Sequence, residues 1–266
     1  MADDPTRSAP DLVGLDDAAL AAALVGQAAA RAARMRAEGV SARTKENLAD
    51  LVTEADVAAE RLVVDALTRL RPEDGVVGEE GTTRPSRSGR TWVIDPVDGT
   101  YNFATGTLYW CSALALRDAD GVLVGAVEHR GAGESWLAVR GAGTFERGVA
   151  VPPLEDAPLS AVCLATYLHP ARIADPSIRE PWLAATRGAA TMRMLGSGSC
   201  ELAAVAAGRI GAWAQPDVLE WDWLPGKALV EGAGGSTDVV DVAGHPWHLA
   251  GTPSAVADLR RALEAG

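Results

Sequence analysis

Residues 92–103, reading Trp-Val-Ile-Asp-Pro-Val-Asp-Gly-Thr-Tyr-Asn-Phe, constrain this chain more than any other stretch. A hydrophobic run of strand character leads into two carboxylates, Asp95 and Asp98, and ends on a glycine and a hydroxyl, Gly99-Thr100. Asp, Pro and Gly are ordinary turn residues, and alone they would predict only a turn. Two further acidic groups change the reading: Gly78-Glu79-Glu80-Gly81 directly after the apolar pair Val76-Val77, and Glu220-Trp221-Asp222. Three carboxylate groups at strand ends or helix starts suggest one shared site. Hard divalent cations such as Mg²⁺ take oxygen ligands and keep several waters, so carboxylates open on one side suit a catalytic ion better than a closed structural cage.

With 266 residues the chain can bury a large core and stands near the size at which a fold divides into two lobes. Hydrophobic residues at 48% and charged residues at 23% are those of an ordinary globular protein. No apolar run approaches the roughly 20 residues of a membrane-spanning helix. The acidic start Met1-Ala2-Asp3-Asp4 lacks the positive region of a signal peptide, so a cytoplasmic location is expected. A net charge of -12 argues against nonspecific binding to nucleic acid or to an anionic membrane, both of which attract basic patches. It also sets a problem for an anionic substrate, which bound divalent ions would solve by inverting the potential of a carboxylate pocket. Cys111, Cys163 and Cys200 are odd in number and widely spaced, which predicts buried, reduced thiols.

Residues 1–10, with Pro5 and Pro10, read as a loose tail before a single unit of two lobes, 11–151 and 152–266. Residues 16–37 are Ala-rich, with Leu20, Leu24, Ala28 and Met35 at near-helical spacing, and Gly39 offers a stop. A second helix is predicted from Thr53, where Thr53-Glu54-Ala55-Asp56 has the form of a capping box, to Leu70, with Ala58, Leu62, Ala66 and Leu70 as its buried stripe. Strands are predicted at 91–94, 108–116, 122–128 and 135–139, with Asp120-Gly121 as a hairpin turn, which reads as an antiparallel sheet.

After Pro152-Pro153 the pattern alternates: strand 162–165, helix 181–186, strand 192–194, a Gly/Ser turn into helix 199–207, strand 209–214, a helix after Trp221-Asp222, strand 236–240 and helix 254–264. That alternation marks an α/β layer arrangement. His245-Pro246-Trp247-His248 reads as a surface loop. The eight tryptophans are expected in the core, with Trp221 and Trp223 as candidates for a pocket mouth.

At residues 92–103 the chain resembles the inositol monophosphatase family, whose signature is Trp, two hydrophobics, Asp-Pro, a hydrophobic, Asp-Gly-Thr, any residue, Asn-Phe. Other marks of that family follow in order: 50–56, then Gly78-Glu79-Glu80, then Trp221-Asp222 with Gly226 and 231–235. The resemblance runs from about Asp11 to the C-terminus. It implies an α/β (α+β layered) sandwich of two lobes in the order αβαβα, a Mg²⁺-dependent phosphomonoesterase, and a homodimer. The implied substrate is a small phosphorylated polyol such as inositol 1-phosphate.

By the same resemblance, two or three Mg²⁺ ions would be held by Glu79, Asp95, Asp98, Asp222 and the backbone carbonyl of Val97. Asp56 and Thr100, with Glu79, would orient and deprotonate the attacking water. Two metals can serve both ends of an in-line displacement. Substrate would be met by Val97, Asp98, Gly99, Thr100, Gly196, Ser197, Gly198, Gln215 and Asp222. The N–H groups of Gly99 and Thr100 would face phosphate oxygens that a Cβ at position 99 could block. For Gly196-Ser197-Gly198 a tight strand-to-helix turn explains the glycines equally well.

Two departures bear on the leaving group. Inositol-handling members carry Glu seven residues before the Asp of the Trp-Asp motif, where this chain has Gln215, and small residues are usual where Trp223-Leu224-Pro225 stands. Gln can hydrogen-bond a hydroxyl but loses the negative charge. Histidinol phosphate and a nucleotide 3′-phosphate therefore stay open as substrates, with specificity expected from 196–199, Gln215 and the 84–90 and 36–43 loops. A reading of another class is a partner-binding protein that keeps the fold without catalysis. Gly226-Lys227 lacks P-loop context, Gly196-Ser197-Gly198-Ser199 is no serine-hydrolase elbow, and Asp95-x-x-Asp98-Gly99 fails the calcium-loop spacing.

Overall fold

A computed structural model describes residues 12–39, 42–44 and 51–265. The expectations for residues 1–10 and for Asp50 lie outside them. The first elements are α1 (Asp17–Glu38), β1 (Ala42–Thr44), β2 (Leu51–Thr53), α2 (Glu54–Leu70), β3 (Gly75–Gly78), β4 (Thr83–Arg84), β5 (Thr91–Asp98) and α3 (Thr100–Ala104). Next come β6 (Cys111–Asp118), β7 (Gly121–His129), β8 (Glu134–Val139), β9 (Gly143–Glu146) and β10 (Val149–Ala150). The remainder is β11 (Cys163–Thr166), α4 (Pro176–Arg187), β12 (Thr191–Arg193), α5 (Gly198–Ala206), β13 (Ala212–Pro216), α6 (Glu220–Gly232), β14 (Ser236–Val242), β15 (His245–Gly251) and α7 (Pro253–Glu264).

An eight-stranded sheet runs β10-β9-β8-β7-β6-β5-β3-β4, and a five-stranded sheet runs β12-β11-β13-β15-β14. On the outer face of the large sheet, Leu20 and Leu24 of α1 and Val63 and Leu67 of α2 bury against Trp92, Ile94 and Leu114. Between the sheets, Leu202 and Val205 of α5 and Leu229 and Val230 of α6 meet Val127 and Trp136 of one sheet and Trp213 of the other. On the far face of the small sheet, Leu259 and Leu263 of α7 pack on Trp247 and Leu249. The layers are thus α, β, α, β, α. A middle-layer helix must be apolar on two sides, which is why α5 and α6 show little amphipathic pattern in sequence.

The α2 start forms as its sequence suggests. Thr53 caps the helix and Asp56 reaches back to the Thr53 N–H in a capping box. Its buried face is rotated by about one residue from the expected stripe: Ala55, Ala59, Val63, Ala66 and Leu67 are buried, whereas Ala58, Leu62 and Leu70 are not. The face is shared with buried Asp56 and Glu60, two polar residues that apolar periodicity passes over.

The large sheet is not wholly antiparallel, since β3 runs parallel to β5, and it gains β9 and β10 beyond the predicted strands. Strand β5 continues four residues past the expected end, to Asp98, because the β5–β6 register shifts between Asp95 and Asp98 and relieves Pro96 of a ladder role. Strand β6 begins at Cys111 rather than at 108, β13 is displaced toward the chain end, and α4 begins at Pro176 under an Asp175 cap.

The His245–His248 stretch is the start of β15, an interior strand with Trp247 fully buried, and not a surface loop. Pro246 at its start hides the alternation of Trp247 and Leu249 that marks it. Cys111 and Cys200 are buried free thiols, while Cys163 is half-buried. Trp223 belongs to the core, stacked on Trp213 with ring centroids 5.7 Å apart, rather than to a pocket mouth.

Candidate metal centre

Asp95 and Asp98 leave the bulged end of β5, and Asp222 leaves the first turn of α6, so the large sheet and the middle helix layer deliver carboxylates to one point. One oxygen of each lies within 4.8 Å of the others. Asp95 Oδ1 accepts the Val97 N–H at 3.1 Å. Asp98 Oδ1 accepts the Gly198 N–H at 3.1 Å, and its Oδ2 accepts the Ser199 N–H. The amino end of α5 is therefore spent on Asp98, where helix N–H groups stabilise negative charge.

Burial raises the Asp95 carboxyl well above the usual carboxylate range, and the charges of Glu79, Asp98, Asp222 and Asp56 raise it further. Asp222 is pushed up to about 7, first by burial and then by Asp98. Asp98 is raised by burial against the pull of its backbone donors. These carboxyls raise one another, and a bound divalent ion would reverse their mutual repulsion. The donor set is all oxygen, which fits a hard ion and not a soft one.

Glu79 follows β3, its N–H donating to Ile94 O at 3.2 Å, and its charge is the largest neighbouring influence on Asp95. It stands outside the 4.8 Å trio. The turn that carries it is held by a residue the motifs do not name. Glu60 of α2 accepts the Glu80 N–H at 2.8 Å and the Thr82 hydroxyl at 2.6 Å. Gly78 has to be glycine here, since a Cβ would lie 2.4 Å from Glu60 Oε2. A signal existed in that Glu60 lies one helical turn beyond Asp56 on the same face.

Thr100 and Asp56 come together as expected: Thr100 Oγ1 is 3.3 Å from Asp56 Oδ1 and 3.0 Å from Val97 O. The Val97 carbonyl thus points into the same space. Burial pushes the Asp56 carboxyl up to about 6 even though Thr53 donates its hydroxyl and N–H to the other oxygen. Gly99 is left-handed at φ 91°, and a Cβ there would come within 3.0 Å of Gly196 O and 3.2 Å of Ser197 Cβ. The Gly99 turn and the Gly196-Ser197-Gly198 loop are therefore in contact across the two sheets.

Gln215 lies apart from the carboxylates, at the carboxyl end of β13 opposite His248. It lines a pocket of about 370 Å³ with Tyr167, His169, Arg172 and Asp217. Arg84, Arg87 and Arg90, in a loop expected to tune specificity, are instead engaged on Asp74 O, Glu73, and Asp17 with Asp74. Those bonds brace the passage from β3 to β5.

Fold and site together describe an αβαβα sandwich with an all-oxygen acidic cluster that could hold a hard cation. The sequence profile of the inositol monophosphatase family matches residues 12–265, and the chain belongs to that family. It is a phosphoric monoester hydrolase by that membership. It is 36% identical over 241 residues to the histidinol-phosphatase of Mycobacterium tuberculosis, covering 86% of this chain and 90% of that one. To the inositol-1-monophosphatase of Bacillus subtilis it is 30% identical over 242 residues, covering 86% and 89%. Among solved structures, the extragenic suppressor protein suhB from Bartonella henselae superposes with a TM-score of 0.80 at 25% identity, covering 91% of this chain and 98% of that one.

Proposed function

We propose that the protein hydrolyses a small phosphorylated polyol such as inositol 1-phosphate, using two or three Mg²⁺ ions held by Glu79, Asp95, Asp98, Asp222 and the Val97 carbonyl. The observation that carries this reading is the trio of buried Asp95 and Asp98 with half-buried Asp222, whose oxygens converge within 4.8 Å. Mg²⁺ bound there would supply the charge that activates a water near neutral pH and steadies the departing alkoxide. Thr100 would orient the attacking water, and Asp56, 3.3 Å from the Thr100 hydroxyl, would take the proton through it. A carboxyl raised to about 6 suits a base working near neutrality. Glu79 assists as the neighbouring carboxylate whose charge bears most on Asp95.

Val97, Asp98, Gly99, Thr100 and Asp222 border the phosphate, while Gly196, Ser197, Gly198 and Gln215 face the leaving group. Residues 11–151 and 152–266 act as two lobes of one catalytic unit, since Asp95 and Asp98 come from one and Asp222 from the other. The reading includes a homodimer in the cytoplasm. The exposed methionines of and beside edge strand β12, Met192 and Met194, offer apolar surface that a second copy would cover. Light scattering and cell fractionation test these two points.

A second reading, histidinol phosphate as substrate, is favoured by the 36% identity to a histidinol-phosphatase. Phosphate release with Mg²⁺ and with EDTA decides between them, measured on inositol 1-phosphate, histidinol phosphate, adenosine 3′,5′-bisphosphate and fructose 1,6-bisphosphate, with Asp95→Asn as blank. Metal-dependent preference for inositol 1-phosphate supports the main reading, and preference for histidinol phosphate the second. Silence across the panel from folded protein would favour a partner-binding role.

A further inference from the structure

Between β12 and α5 the peptide Leu195–Gly196 is gripped on both of its polar edges. Glu201, buried in the first turn of α5, accepts the Leu195 N–H at 2.8 Å and the Gly196 N–H at 3.3 Å through one oxygen. Its other oxygen accepts the Trp213 indole N–H at 2.9 Å. From the opposite side, Asn102 of α3 donates its amide to Leu195 O at 2.8 Å and to Tyr109 O at 2.9 Å, with Gly196 O at 3.3 Å. Gly196 is left-handed at φ 82°, and a Cβ there would stand 3.1 Å from Asn102 Nδ2. The loop has no room to shift.

Three residues further on, the same loop presents the Gly198 and Ser199 N–H groups to Asp98. We propose that Glu201 and Asn102 are positioning residues for the metal centre: by clamping Leu195–Gly196 from both edges they fix the α5 amino end on Asp98, and so set the affinity for the divalent ion. This rests on the reading of the trio as a metal centre. Neither residue touches the ion or the substrate. Asn102 comes from the large sheet's side of the site and Glu201 from the middle layer, so the clamp also locks one lobe to the other where the carboxylates meet. Helix-dipole compensation alone would not require Glu201 to be buried or to take three N–H donors.

Outer partners of metal ligands characteristically cost ten- to a hundredfold in metal affinity or activity when altered. The test is calorimetric titration of the metal-stripped full chain with Mn²⁺, alongside thermal unfolding. Glu201→Gln keeps the shape but turns an amide N–H₂ toward an N–H donor, and Asn102→Ala removes the opposite grip. Each is expected to weaken Mn²⁺ binding by on the order of tenfold, with kcat for the phosphate ester recovered at saturating metal. The double variant should be no weaker than the weaker single one, because both act through one peptide.

Lowered melting with unchanged Mn²⁺ affinity would mean a merely structural role and overturn the proposal. If Glu201→Gln does not fold, Trp213→Phe removes one of its three donors while keeping a ring in place. A smaller loss of affinity there supports the clamp, and none overturns it. Wild-type protein that binds no Mn²⁺ would overturn the clamp together with the function it rests on. Wild-type binding matched by the variants would overturn the clamp alone.

Discussion

Asp222→Asn should stabilise the metal-free protein while removing its turnover. The Asp222 carboxyl rises from 3.8 to about 7 in the folded chain. The sign follows from proton binding: between those values the folded state holds a proton that the unfolded state has released, so metal-free stability falls as pH rises through that window. Above it the penalty on the ionised form is roughly 4 kcal/mol at ~1.4 kcal/mol per tenfold. Asp222 is partly accessible, and solvent screening plus relaxation of the cluster reduce this to about 2 kcal/mol. Losing a carboxylate from the first turn of α6 subtracts ~0.5 kcal/mol of dipole stabilisation, too little to reverse the sign.

At about 2–4 °C per kcal/mol for a chain somewhat under this size, the metal-free variant should melt about 3–6 °C above wild type at pH 8. Scanning calorimetry in EDTA measures it. At pH 5 the difference should fall to roughly a third, because only the lower part of the window from 3.8 to about 7 has been crossed, and it should vanish below 3.8, where both states are protonated. Adding Mg²⁺ should stabilise wild type more than the variant. A metal-free variant that melts at or below wild type at pH 8 would refute the argument that these carboxylates are held together against their own repulsion.

Other expectations follow from the same geometry. Because the trio must ionise to hold a cation, Mg²⁺ binding at pH 6.5 should release protons and weaken as pH falls from 8 to 6, which calorimetry in buffers of different ionisation enthalpy detects; pH-independent affinity would contradict it. Gly226→Ala would place a Cβ 2.4 Å from Leu202 Cβ where α6 crosses α5, and should destabilise by about 1–3 kcal/mol in chemical denaturation; an unchanged midpoint would show that the helices can part freely. Glu60→Gln should loosen the turn carrying Glu79 and raise the Mg²⁺ concentration for half-maximal activity, with kcat at saturating metal largely kept; the reverse split would place Glu60 in the chemistry itself. Gln215→Glu should change the ranking of polyol and amine-bearing phosphate esters by kcat/KM, and a uniform loss across substrates would remove it from the leaving-group pocket.

Legibility in the sequence followed the range of the interactions. The run 92–103 could be read because strand, bulge, carboxylates and turn are contiguous, and the capping box at Thr53–Asp56 because it closes within one turn. Alternation after Pro152 made a layered α/β arrangement legible, while the αβαβα order came from the family resemblance; strand limits slipped where proline interrupts a pattern, at Pro96 within β5 and Pro246 within β15. The α2 stripe slipped by a residue because the helix buries Asp56 and Glu60, and a rule that seeks apolar periodicity turns the helix away from them. Glu60 and Glu201 were missed for a common reason: each serves backbone N–H groups of another segment, and nothing in the local sequence marks a carboxylate as buried.

That shared reason bears on how the centre is built. Asp98 has an N–H donor on each oxygen, from Gly198 and Ser199, whereas Asp95 accepts one, from Val97, on a single oxygen. The backbone therefore steadies Asp98 most, and Asp95, raised by four neighbouring carboxylates, keeps the greatest unmet demand for a cation. Asp98 is the member through which α5 holds the trio together before any ion arrives. A fold can keep such a cluster by giving one carboxylate a backbone donor on each oxygen and the others fewer, Asp95 one from Val97 and Asp222 one from Leu219, so that the backbone meets only part of the charge and the drive to bind a cation remains. On this view the glycines at 99, 196 and 198 serve the cluster as much as the substrate: they let the N–H-bearing end of α5 approach the end of β5 closely enough to reach Asp98.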